Sequence, residues 1–152
     1  MNASLRLVDI RIEKFEIFNI EEERSIDYDK YEFEFSNTIT FYDDRKFIKS
    51  GLTISLFKIE DSNTKITLAE LSLATYLELK NFDEIIVKES EQLKVPNFLL
   101  GFINSLVVNN ARGVLVSKLE NTPYSNAILP LIPPYSSDQD GYTLFSPSHS
   151  QR

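Results

Sequence analysis

Apolar and polar residues alternate with a period of two through much of the first 79 positions, and apolar residues recur every three or four from Phe98 to Leu119. The clearest stretch is YEFEFSNTITF, residues 31–41. Tyr31, Phe33, Phe35, Ile39 and Phe41 fall on one side of it, and Glu32, Glu34, Ser36, Thr38 and Thr40 on the other. That pattern predicts a half-buried antiparallel strand with one wet face. Leu5 to Phe18 is a long strand candidate whose phase changes within it. Val8, Ile10 and Ile12 share one parity, and Phe15 and Ile17 take the other. A bulge near Glu13–Lys14 would restore a single face, because one extra residue flips every later side chain; a strand covered on both faces is the alternative. GLTISLFKIE places Leu52, Ile54 and Leu56 on one face of a third strand. ITLAELSLATYLEL places Leu71, Leu73, Leu77 and Leu79 against Glu70, Ser72 and Glu78. Its Ala and Leu content would also suit a helix, but Ile66, Thr67, Thr75 and Tyr76 and the alternation favour a fourth strand. YDDRKF and DSNTK read as the turns between strands.

The period changes at Val95-Pro96, and proline is well placed in a first helical turn. Leu99, Phe102, Ile103, Leu106, Ala111, Val114, Leu115 and Leu119 then follow helical spacing. VVNNARG interrupts this with mediocre helix formers, so the pattern allows one kinked helix or two. The helix must end by Thr122, because the residue before Pro123 avoids the helical region. AILPLIPP beyond it is apolar, extended and bounded by prolines. From Tyr135 to Arg152 there are five serines, two aspartates and one glycine, a composition expected to be disordered. The expected organisation is therefore one domain over residues 1–134 and a loose Ser-rich tail over 135–152. Strands followed by helix predict an α+β fold: a four-stranded antiparallel sheet with C-terminal helices packed on one face.

Composition narrows the functional classes. The 152 residues carry 23 acidic and 16 basic side chains, a net charge of -7. Such a surface repels a phosphate backbone, which argues against nucleic acid as a partner. There is no cysteine, so there is neither a disulfide nor a thiolate site, and a reducing cytoplasm suits the chain. Arg6, Asp9, Arg11 and Glu13 break the opening apolar residues, so no secretory leader is expected there. Nor does any unbroken apolar run approach the roughly 18 residues of a membrane span, and no membrane insertion is expected.

Catalytic chemistry is sparse. The one histidine, His149, lies in the tail. With four glycines in total, phosphate-cradling loops are hard to build. The carboxylate pairs at Asp27/Asp29 and Asp43/Asp44 lack the oxygen-ligand spacing of a Ca²⁺ or Mg²⁺ site and read as turns, and EEER as a solvated loop. No metal, no cofactor and no enzymatic activity are expected. What remains is surface. With 18 Phe and Tyr, some rings should line a groove or a subunit interface even though most belong to the core.

ARGVLVSKLENTPYSNAILPLIPP, residues 111–134, resembles the C-terminal portion of the SecB export-chaperone family. The matching features are the Ala111-Arg112 pair on a helix, a short turn at Asn121-Thr122-Pro123, and the apolar arm Ile128-Leu129-Pro130-Leu131-Ile132. VPNFLLGFINSL resembles the approach to that helix, and LAEL at 68–71 the family's Leu-x-Glu-Val strand motif. Gly113 stands where the family has Glu, Asn121 where it has Gly or a basic residue, and the tail is Ser-rich where the family's is basic and zinc-contacting. The resemblance implies a homotetramer, a dimer of dimers, acting as an ATP-independent holdase on unfolded client polypeptides. The clients would be bound for protein export, with a SecA-type motor, or for a dedicated partner such as an antitoxin.

On that resemblance a client groove between sheet, helix and arm would use Phe33, Phe35, Phe41, Leu99, Phe102 and Ile132. Leu68 and Glu70 would face a motor or partner, and Arg112 would be a structural residue at the helix or subunit interface. A rival reading makes the same scaffold an adaptor for one specific folded protein, with its aromatics all in the core. Suppression of aggregation separates the two.

Overall fold

The computed structural model describes residues 2–18, 31–61, 64–130 and 140–148. Four strands form the main antiparallel sheet: β1 (Leu5–Ile17), β2 (Tyr31–Tyr42), β3 (Phe47–Asp61) and β4 (Thr64–Leu79). Their spatial order is β1-β4-β3-β2, so β1 and β2 are the edges. A short helix α1 (Phe82–Ile85) follows, then β5 (Val87–Glu89), β6 (Gln92–Pro96) and a long helix α2 (Asn97–Leu119). A last strand, β7 (Tyr142–Phe145), completes a second, three-stranded sheet of order β5-β6-β7.

The register explains the alternation in the sequence. Phe33, Phe35, Ile39 and Phe41 lie opposite Leu56, Ile54, Ser50 and Ile48. Those residues of β3 in turn face Ala69, Leu71, Thr75 and Leu77 of β4. One face of the sheet is therefore apolar, and it joins Leu99, Ile103, Val107, Ala111, Leu115 and Leu119 of α2 in a single core. In β1 the phase change is accommodated by two bulges. The pairing skips Val8, between Leu7 and Asp9, and Glu13, between Ile12 and Lys14. The second is the expected bulge. Together they align Leu7, Ile10, Ile12, Phe15 and Ile17 with Leu77, Thr75, Leu73, Leu71 and Ala69. Without two extra residues the apolar set would be split between the faces.

Helix α2 runs unbroken through VVNNARG. Val107, Val108 and Ala111 are buried there, and burial outweighs their modest propensity. The helix ends through Asn121, which takes the left-handed conformation at φ 64°, a role Asn fills where Gly is more usual. The Thr122 hydroxyl then donates to the Leu119 carbonyl at 2.7 Å. At 23 residues and a mean hydropathy of 1.4 over its most apolar window, α2 is long and apolar enough to cross a membrane, although the sequence holds no unbroken apolar run. In this fold its apolar stripe covers the sheet.

One hairpin lies where the sequence reading assigned no element, and one strand departs from that reading. VKESEQLKV forms the β5–β6 hairpin, with Ser90 at φ 57°. Residues 142–145, in the stretch read as a disordered tail, form β7 against β6, pairing Phe145 with Leu93 and Tyr142 with Pro96. The Phe145 ring meets Phe41 edge-on at 4.9 Å. A four-residue segment with Phe145 anchored on the core forms an edge strand here because a partner edge is already in place.

Candidate functional site

The residues expected to form one groove have different fates. Phe33 is partly buried against the core and stacks edge-on with Tyr31 at 5.7 Å. Phe35, on the same face of the same edge strand, is 50% exposed. It borders a depression of about 180 Å³ with Glu34, Ser36, Thr53 and Ser55. Phe41 and Leu99 are fully buried, so neither side chain can line an open groove. Phe145 covers the first, and α2 packs the second into the core. Phe102 is 56% exposed but points away from the sheet. The reason is its spacing from Asn104, which faces the sheet and accepts a hydrogen bond from the Asn37 side chain. Two residues along a helix is about 200° of rotation, so Phe35 and Phe102 do not share a wall. Ile132 lies outside the described residues, as do Asp27, Asp29, EEER and His149.

Leu68 is likewise buried, at 2% exposure, and its carbonyl accepts the Phe18 N–H at 2.8 Å. Its side chain is therefore a core group and not a contact for a partner. Glu70 lies on the opposite, polar face and is held by Lys14 at 2.8 Å. Arg112 donates through Nε to the Leu129 carbonyl at 2.9 Å, which ties the segment after α2 to the helix.

The polar face of the sheet is closed by its own charges. Arg6 pairs with Glu78 at 2.6 Å, and Lys65 with both Glu32 and Glu34. The hydrogen bonds to Glu32 and Glu34 raise the Lys65 ammonium above its ordinary value, and the same lysine lowers Glu32. The Thr53 and Ser72 hydroxyls meet at 3.0 Å between these pairs. Asp43 is bound by Lys88 at 2.7 Å and Lys46 at 3.2 Å. Among the described residues no group of three or more His, Asp or Glu side chains could hold a metal ion.

What the sheet leaves open is apolar edge. β1 exposes Leu7, Val8 and Ile12, β2 exposes Phe35, and Val87, Tyr142 and Leu144 are exposed on the second sheet. Sequence reading missed Tyr142 and Leu144 because the tail was judged by its serines, and Val87 because no element was read between Leu79 and Val95. Tyr142-Thr143-Leu144-Phe145, a run of strand-forming residues bounded by Gly141 and Pro147, was the available signal.

No family model matches the chain, and no curated protein matches it. Among solved structures the chain is similar to the Mycobacterium tuberculosis Rv1957 SecB-like chaperone, in complex with a ChAD peptide from the Rv1956 HigA1 antitoxin. The two share 12% sequence identity and superpose with a TM-score of 0.51 over 84% of this chain and 87% of that one. At that identity the likeness concerns architecture: the four-stranded antiparallel sheet with its helix is a SecB-like α+β fold.

Proposed function

We propose that this chain is an ATP-independent molecular chaperone, a holdase that binds extended or unfolded polypeptide. One observation carries the reading: a SecB-like sheet whose two edge strands, β1 and β2, each pair with a single strand among the described residues, Ser148 bridging only the Tyr42 end of β2, and carry exposed Leu7, Val8, Ile12 and Phe35. An unpaired edge offers backbone donors and acceptors to another chain, and apolar side chains beside it add affinity with little sequence preference. The similar chaperone was solved with a peptide from an antitoxin, which supports an extended segment of a dedicated partner as the ligand. Phe33 and Phe35 are the groove residues this proposal keeps, with Phe102 as a separate contact on the outer face of α2.

The proposal extends to assembly and setting. A homotetramer built as a dimer of dimers would cover part of the open edges and give several weak sites the benefit of avidity. Glu70, paired with Lys14 on the polar face, is the proposed contact for a SecA-type motor or an antitoxin. The proposed setting is the cytoplasm.

The test is to titrate the purified protein into a chemically unfolded, aggregation-prone reporter without ATP and follow light scattering. Suppression at a fixed protein-to-client ratio is the expected result. A folded protein that leaves aggregation unchanged overturns the holdase reading and favours the adaptor.

A further inference from the structure

The last described segment sits on the molecule as a bound peptide would. β7 adds to the edge of β6, with Thr143 opposite Val95 and Leu144 opposite Lys94. Pro96 gives α2 no side-chain cap, and the first N–H of the helix, on Asn97, instead donates to the Gly141 carbonyl at 3.0 Å. The Asn97 side chain grips the same segment twice. Its Nδ2 donates to the Asp140 carbonyl at 3.4 Å, and its Oδ1 accepts from the Thr143 hydroxyl at 2.7 Å. Gly141 takes φ 102°, and a Cβ there would come within 3.2 Å of Asn97 Nδ2, so the approach requires glycine. Two residues beyond Thr143, the Phe145 ring caps Phe41, and the Ser148 N–H donates to the Phe41 carbonyl at 3.0 Å.

The occupant is weakly held compared with its site. β7 is four residues long. Tyr142 and Leu144 are exposed, and Phe145 is its only apolar side chain packed against the core. Short edge elements with few buried contacts open at low free energy. The site beneath is firm, because Leu93, Val95, Phe41 and Leu99 are buried in the main core. Beside β7 a cavity of about 320 Å³, lined by Glu84, Pro96, Phe98 and Tyr142 among others, leaves room for a longer segment.

We propose that the edge of β6 is an acceptor for an extended polypeptide strand bearing Ser or Thr two residues ahead of an aromatic, and that residues 140–148 occupy it until such a strand displaces them. Each feature of that pattern has a partner in the site. The backbone pairs with β6, a carbonyl caps α2, the hydroxyl meets Asn97 and the ring covers Phe41. The proposal rests on the reading that this chain binds extended polypeptide and names the regulation of that binding.

The chain has no cysteine, so a Lys94→Cys/Leu144→Cys double variant can lock β7 onto β6 by a disulfide, verified by mass. The probe is a labelled peptide spanning residues 140–148. The reduced variant should bind it, and the oxidised variant should bind at least tenfold more weakly. The same peptide with Phe145→Ala should lose at least tenfold on the reduced protein. The full chain carrying Phe145→Ala should bind the unaltered peptide at least tenfold more tightly than wild type. Equal binding by the oxidised and reduced forms, or no binding by either the reduced double variant or the Phe145→Ala chain, overturns the proposal. The aggregation assay separates the two ideas. Suppression by wild type without peptide exchange sinks only this inference, and peptide exchange without suppression sinks only the holdase.

Discussion

Arg112 of α2 donates to the carbonyl oxygen of Leu129, 17 residues on, with Nε 2.9 Å from the oxygen. The Ala-Arg pair and the described start of the apolar arm, residues 128–130, are thus one structural unit: the arginine holds the backbone of the segment that follows the helix. Arg112→Ala leaves a partly buried carbonyl without its charged donor, and such hydrogen bonds contribute about 1.5–3 kcal/mol. Urea unfolding should show a loss of that size, with Arg112→Lys intermediate. An unchanged midpoint would remove Arg112 from its structural role.

Tyr124 is fully buried, and its hydroxyl donates to the Phe18 carbonyl at 2.7 Å, which fastens the turn after α2 to the end of β1. Tyr124→Phe should cost about 0.5–1.5 kcal/mol, and Tyr124→Ala about 3–5 kcal/mol because a cavity is added. Truncation after Asn121 removes Tyr124, Ala127 and Leu129 from the core together. It should lose cooperative unfolding in a calorimetric scan as well as client binding.

Gly113 lies inside α2, where an added Cβ would meet nothing within 4 Å. Glycine costs a helix interior about 0.8–1 kcal/mol relative to alanine. Gly113→Ala should therefore stabilise the protein by up to about 1 kcal/mol in denaturant titration. A destabilised variant would show that the position needs glycine for a contact outside this chain.

Asp43 is held below its ordinary carboxylate value, first by the hydrogen bond from Lys88 and then by Lys46, with its partial burial opposing the shift. A depressed folded pKa contributes stability that is present above the unfolded value, near 3.8, and is lost as pH falls through the lower folded value. Stability should be insensitive to Asp43 near neutral pH and fall below about pH 4. Asp43→Asn should flatten that acid limb, and an identical acid limb in the variant would contradict the assignment.

Phe35 is half exposed at an open sheet edge, so Phe35→Ser should change stability by no more than about 0.5 kcal/mol. On the holdase reading it should still weaken aggregation suppression several-fold, whereas Phe102→Ser should weaken it less. Full activity in the Phe35→Ser variant would move the client surface elsewhere.

The sequence was most legible where a local period reports burial directly. The Tyr31–Tyr42 alternation, the phase break before Lys14 and the three-four spacing of α2 each follow from one side chain meeting one layer. The expected groove was less legible, because parity identifies the apolar face without saying which part of it is covered. Phe35 and Phe41 have the same parity on the same strand. Only the fold puts Phe145 over one and leaves the other beside solvent. Leu68 was read as an exposed strand position, but it lies next to Ala69 at a register irregularity and turns inward, a local shift that a strict period of two cannot foresee.

By itself, then, the sequence determined the α+β class, the four strands, helical spacing from Phe98 to Leu119 and the absence of cysteine chemistry, since these depend on residue type and on neighbours along the chain. The tertiary structure decided that the helix stays whole through VVNNARG, that residues 142–145 become a strand, and that Asn97, Gly141 and Thr143 meet. Those outcomes depend on contacts between residues more than 40 positions apart, or on burial strong enough to override weak local preference. Local propensities are worth tenths of a kcal/mol, and burial of one large side chain is worth about 1.5–3 kcal/mol, so where the two compete the packed structure prevails.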